Sequence, residues 1–213
     1  MVRVVVASLL GVLLASVAVA SLASPRLAST RPTTGPTTTL AIGDSTLWHA
    51  EPELAARHPD WVIDARRGRL VSAMRPLLRA YIRTDGMPDQ VVIALGTNGS
   101  RSWSRRDLRR LILEELGGRT RVVLVLPVRP DGAEAERDRK VRRYARWYQR
   151  LARDRPRTFV ADWRRRVLQD PSLDPETGLS DLIYDGVHEN GEPRGPEGPG
   201  TTVFADLIDA QVR

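Results

Sequence analysis

Cysteine is absent from the 213 residues. That excludes a disulfide framework, a thiolate nucleophile and a thiolate-bound zinc. Histidine is limited to His49, His58 and His188, too few for a histidine-rich metal centre, and neither metal nor cofactor is expected. Lysine is rarer still: Lys140 stands alone among 33 basic residues, so positive charge here means arginine. No internal repeat is visible, which sets aside solenoid architectures. What remains is ordinary for a globular chain. A hydrophobic fraction of 41% with 15 prolines excludes disordered and collagen-like classes. The length suits one domain with appendages, large enough to bury a core without covalent staples.

The formal net charge is +7, and its distribution matters more than its size. Residues 1–38 carry Arg3, Arg26 and Arg31 and no acid. Without those three, 30 basic residues face 26 acidic ones, a balance of +4. The densest basic runs are Arg137 to Arg157 and Arg164–Arg166. Glu134, Glu136, Asp138 and Asp154 flank or interrupt the first. This reads as a solvated helix face rather than a phosphate-binding stripe, so no nucleic-acid partner is expected.

Arg3 precedes an apolar run from Val4 to Ala20, followed by small-x-small sites at Ala18-Val19-Ala20 and Ser21-Leu22-Ala23. Residues 1–23 therefore read equally as a cleaved secretory signal or as an uncleaved membrane anchor through residues 4–23. Residues 24–39 form a Thr/Pro-rich linker that cannot bury a core. Residues 40–213 are the folded body, expected to work outside the cytoplasm.

That body alternates strands and helices. Leu40–Ile42, Trp61–Ala65, Gln90–Leu95, Arg121–Val128 and Thr158–Ala161 read as strands. Glu51–His58, Leu70–Arg83, Ser104–Leu116, Gly132–Arg155 and Val203–Val212 read as helices. Asp162-Trp163 reads as the end of the fifth strand. Uninterrupted apolar strands separated by helices predict a parallel sheet covered on both faces. Five strands in this length predict an α/β fold, a flavodoxin-like three-layer α/β/α sandwich. Such sheets bind ligands at the carboxyl ends of their strands.

Three short segments carry chemistry. Gly43-Asp44-Ser45 follows the first strand, where a serine opening a helix offers a nucleophilic hydroxyl and an inward N–H. As a pattern it is also an ordinary helix cap. Gly96-Thr97-Asn98 follows the third strand and offers a side-chain amide at the same edge, or merely a turn. Asp185-Gly186-Val187-His188 sets an acceptor three residues before an imidazole, the arrangement a general base requires. His49 and His58 are its only rivals.

Taken in this order, the GDS, GTN and DxxH segments resemble the SGNH (GDSL-type) serine hydrolase superfamily over most of residues 40–213. The likeness is greatest to the extracytoplasmic SGNH domain of peptidoglycan O-acetyltransferases. It rests on Ile42-Gly43-Asp44-Ser45, Ile63-Asp64-Ala65 with Gly68-Arg69, Ala94 to Gly99, Val160 to Trp163, and Tyr184 to His188. The resemblance implies Ser45 as nucleophile, His188 as general base, Asp185 as its orienting acid, and an oxyanion hole of Ser45, Gly68 and Asn98. Asp44, Trp48 and Arg69 are candidates for substrate contact, although core packing is the weightier reading of Trp48. A Gly/Pro-rich stretch, Glu189 to Gly200, replaces the family's usual lead-in after the base.

The implied activity is an exported serine esterase or acyltransferase acting on an acyl, chiefly acetyl, ester of cell-wall carbohydrate. A membrane acyltransferase is a candidate partner, since in that family the domain is usually joined to a multi-span acyltransferase. A non-catalytic wall-binding module on the same fold is the alternative, and an arginine-driven nucleic-acid binder a third reading.

Overall fold

Five short runs of Val, Ile, Leu and Ala pair into a single sheet in the computed structural model, which describes residues 37–98, 103–130 and 135–212. The strands are β1 (Thr39–Gly43), β2 (Val62–Ala65), β3 (Gln90–Ala94), β4 (Arg121–Val125) and β5 (Thr158–Ala161). Their order is β2-β1-β3-β4-β5 and every neighbouring pair is parallel. The helices are α1 (Ser45–Arg57), α2 (Met74–Asp85), α3 (Arg105–Arg110), α4 (Ala135–Asp154), α5 (Trp163–Leu168) and α6 (Gly200–Val212).

Alternation along the strands divides the core in two. Leu40, Ile42, Val91, Ile93, Val122 and Leu124 face Met74, Leu78, Leu108, Tyr144 and Tyr148 on α2, α3 and α4. Ala41, Val92, Ala94, Val123 and Val125 face Leu47, Leu54, Trp163, Phe204 and Ile208 on α1, α5 and α6. The strands are apolar on both faces because both faces are covered, and the three-layer sandwich predicted from the sequence is the observed architecture.

Some boundaries differ, for physical reasons. α1 starts at Ser45, six residues before the expected Glu51, because the Asp44 side chain caps it by accepting from Thr46 N at 3.2 Å. Pro52 lies inside it. α5 was not expected. Asp162 caps it, accepting from Arg165 N at 2.9 Å, and Trp163 and Val167 bury one turn apart. Ser104 caps α3 as expected, with Asp107 closing a reciprocal box, and the helix runs on as a wider π-type turn over Leu111–Glu115. β1 takes in Thr39. The expected signal or anchor, most of the linker, Gly99, and Gly132 to Glu134 of the long helix lie outside the described residues. Among the described residues no helix is long and apolar enough to cross a membrane.

Register levels the strand ends. Gly43 of β1 pairs with Ala65 of β2 on one side and Ala94 of β3 on the other. Chain order reverses here, between β1 and β3, the place where doubly wound sheets leave a crevice. The segments following these three strands therefore emerge side by side. Glycine is required at Gly43: a Cβ there would fall 2.1 Å from Leu47 Cβ, because α1 folds straight back over the strand end.

Candidate active site

Asp44 holds the crevice together. It is fully buried, and its Oδ1 accepts from Thr46 N and Thr46 Oγ1, while Oδ2 accepts from Gly96 N and Thr97 N at 3.2 Å. Its own N–H donates to Ala94 O at 3.0 Å. One carboxylate thus caps α1 and pins the turn after β3. Burial raises its pKa, against the pull of those hydrogen bonds. Asp44 was a candidate for substrate contact, yet its oxygens are occupied internally.

Ser45 is the first residue of α1 and only 5% exposed. Its position gives its backbone N–H no partner within the helix. Across the crevice the Asn98 Nδ2 is buried and has no hydrogen-bond partner among the described residues, an orphaned donor of the kind that functional sites retain. The loop after β2 is tied to the same edge, since Arg66 N donates to Gly43 O at 3.2 Å. Within that loop Gly68 adopts φ +72, the left-handed region that favours glycine. Arg69 anchors the loop from beneath. Its guanidinium donates to Gly43 O, to Asp64 O and, at 2.5 Å, to Asp64 Oδ1. Arg69 too was a candidate for substrate contact, and it too is occupied internally.

His188 and Asp185 meet as their spacing predicts. Asp185 Oδ2 lies 2.6 Å from His188 Nδ1, and Oδ1 accepts from the backbone N–H of Val187 and His188 at 3.0 and 2.7 Å. Burial alone would raise the Asp185 pKa. The hydrogen bonds from the ring and backbone of His188 outweigh it, and the carboxyl sits below its ordinary range. With Nδ1 engaged, Nε2 is the ring nitrogen left for proton transfer. No hydrogen bond joins Ser45 to His188 among the described residues; such contacts often close only with substrate bound.

His49 places His188 relative to α1. It lies one helical turn beyond Ser45, on the same face. Its ring stacks on that of His188 with centroids 4.7 Å apart and 25° between planes. It is 2% exposed, and its Nδ1 is buried without a partner among the described residues. Burial, then the neighbouring His188, lowers its pKa to about 4, so the ring is neutral at neutral pH. The sequence showed His49 only as a rival base. Its stacking role required knowing that α1 begins at Ser45. His58 is elsewhere, bonded to Asp209 at 2.7 Å and stacked on Trp61.

Trp48 joins neither core. Two guanidinium groups lie over its indole, Arg194 at 4.1 Å and Arg67 at 5.4 Å from the centroid. Arg194 also donates to Glu51 Oε2 at 2.7 Å and to the Trp48 carbonyl. That carbonyl is available because Pro52, four residues on, has no N–H to offer it. Glu189, next to the base, is fully buried, and among the described residues neither carboxylate oxygen has a hydrogen-bond partner beyond its own backbone. Burial pushes its pKa well above the ordinary value. Arg194 and Glu189 were not singled out from the sequence. Among the described residues no group of three or more His, Asp or Glu could hold a metal ion.

Neither a protein-family model nor a curated protein matches the chain. Solved structures do. The C-terminal catalytic domain of Streptococcus pneumoniae peptidoglycan O-acetyltransferase A, solved with a methylsulfonyl adduct, superposes with a TM-score of 0.68 at 24% identity, over 83% of this chain and 92% of that one. A lipolytic G-D-S-L family protein from Veillonella parvula gives 0.58 at 14% identity, over 82% and 97%. An acetyl xylan esterase from Geobacillus stearothermophilus gives 0.55 at 18%, over 83% and 94%. The fold is that of the GDSL-type (SGNH) hydrolases, as the motifs implied.

Proposed function

We propose that the chain is a serine esterase or acyltransferase that cleaves or transfers an acyl group, chiefly acetyl, on cell-wall carbohydrate. The observation that carries this reading is a juxtaposition at the carboxyl edge of the sheet. A histidine held by an aspartate at 2.6 Å packs, through His49, against the helix that Ser45 opens, with an unpartnered Asn98 amide alongside.

In this reading His188 Nε2 takes the Ser45 hydroxyl proton as Oγ attacks the ester carbonyl. Asp185 fixes the tautomer and stabilises the imidazolium. The tetrahedral oxyanion is received by the N–H groups of Ser45 and Gly68 and by Asn98 Nδ2. Each such donor is worth about 10²–10³ in kcat. Collapse expels the alcohol, which takes its proton from His188, and leaves an acyl-serine. Water resolves it in an esterase and a sugar hydroxyl in a transferase, His188 again acting as base. Acetyl and glycan enter from the neighbours named as a peptidoglycan O-acetyltransferase and an acetyl xylan esterase. The charged, apolar and small-residue order of residues 1–23 supports work outside the cytoplasm, secreted or anchored. A membrane acyltransferase would then be the natural acyl supplier.

The full-length chain should hydrolyse p-nitrophenyl acetate, and Ser45→Ala should lose that activity by about 10³-fold or more. Turnover that survives the substitution, or none in the parent, would refute this reading and favour a non-catalytic wall-binding module.

A further inference from the structure

Beside Gly68 the surface opens into a groove of about 440 Å³, within the range of small-ligand pockets, lined by Arg66, Arg67, Gly68, Arg69, Leu70 and Ser72. Its charge is not balanced. Of the arginines around the crevice, Arg69 has Asp64 at 2.5 Å and Arg194 has Glu51 at 2.7 Å. Arg66 and Arg67 are consecutive, exposed, and have no carboxylate within ion-pair distance among the described residues. Adjacent like charges without a carboxylate counter-ion repel, and among the described residues only the Trp48 indole face, 5.4 Å from Arg67, offsets that repulsion.

Their location gives them a use. The loop is fastened at both sides of the pair, by Arg66 N on Gly43 O and by the Arg69 guanidinium on Gly43 O and Asp64. The two cations are thus presented on a fixed support at the ligand edge of the sheet. Arg67 reaches over the Trp48 indole, and its charge helps depress the His49 pKa. It therefore connects the groove to the catalytic crevice. A guanidinium on a rigid loop suits a planar carboxylate or a phosphate, each able to accept two parallel N–H bonds from it.

We propose that this groove binds an anionic group of the substrate through Arg66 and Arg67, so that the ester acted on belongs to a negatively charged glycan rather than a neutral one. The proposal deepens the esterase reading and rests on it for the word substrate. The binding itself does not depend on turnover. The anion would occupy the groove while the ester lies over Ser45, on the far side of Gly68.

Two measurements on the full-length chain test it. First, kcat/KM is compared for O-acetylated oligogalacturonate and O-acetylated xylo-oligosaccharide. The anionic ester should be preferred by about tenfold or more at low salt, the preference fading as salt rises. Arg66→Ala/Arg67→Ala should reduce that preference about tenfold, through KM. An unchanged preference in the variant would overturn the proposal. Second, Ser45→Ala, which cannot turn over, is titrated calorimetrically with unacetylated oligogalacturonate and with a glycerol-phosphate oligomer. Salt-sensitive binding that disappears with both arginines supports the groove, and the oligomer that binds distinguishes carboxylate from phosphate. No binding of either, or binding indifferent to the arginines, overturns it. Arginine-dependent binding in a chain with no esterase activity would instead sink the esterase reading and leave the groove standing.

Discussion

At the residue scale His49 explains why one imidazole of three can serve as base. His188 has a carboxylate on Nδ1, whereas His49 has no partner there and resists protonation down to about pH 4. His49 acts through His188 by stacking, which makes it a positioning residue. Loss of such a contact is worth roughly 0.5–1.5 kcal/mol. His49→Ala should therefore lower kcat about three- to tenfold with little change in KM. His49→Phe should restore most of it, since a flat ring suffices, and the pH profile of kcat should follow the stack. An Ala variant as active as the parent would remove His49 from the account. Much of this scale was legible in sequence. The Asp185–His188 hydrogen bond follows from a three-residue spacing, and Ser45 and Asn98 stand just after apolar runs, their proposed roles coming from the family resemblance. Trp48 was not, because the groups over its ring come from Arg67 and Arg194, the latter 146 residues away. Asp44 and Arg69 were misjudged for a related reason. Polar residues at a strand end look available until the backbone groups they satisfy are known.

At the element scale the unusual piece is the segment after the base. Gly191 N donates to Pro196 O and Gly195 N to Gly191 O, so Glu189 to Gly200 is a folded loop rather than a tether. Its link to α1 is Arg194, which uses the carbonyl that Pro52 leaves open, the Glu51 carboxylate and the Trp48 face. A proline signals a helix start or stop, but here the missing hydrogen bond is replaced from outside. α5 was missed because three consecutive arginines obscure the Trp163/Val167 spacing. Arg194→Ala should release this loop. Hydrogen exchange at Gly191 and Gly195 should accelerate, and stability should fall by about 1–2 kcal/mol. Unchanged protection of those amides would show that the loop holds itself without α1.

At the scale of the whole molecule, the layer order was readable because strands buried on both faces are apolar throughout and the helices between them are not. Charge was less readable. The sequence counts acids and bases but not which are buried, and two buried groups give this fold opposite responses to pH. Folded His49 resists a proton that the unfolded chain accepts near pH 6.5. Its contribution is complete above that value and is lost as pH falls towards about 4. Glu189 has a folded pKa raised above 4.5. Its contribution is complete below that value and declines as pH rises towards the folded pKa. Thermal melts of Glu189→Gln and parent should therefore diverge in the variant's favour between pH 4 and pH 8. A Tm difference independent of pH would mean that Glu189 is not held neutral in the fold.

The central claim is that Ser45 is a nucleophile activated by His188. Its most direct test is covalent labelling of the full-length chain with a serine-reactive fluorophosphonate, read by peptide mass. The account predicts one adduct, on the peptide carrying Ser45, formed more slowly in His188→Ala and absent in Ser45→Ala. No adduct, or one on another residue that persists in Ser45→Ala, would contradict it.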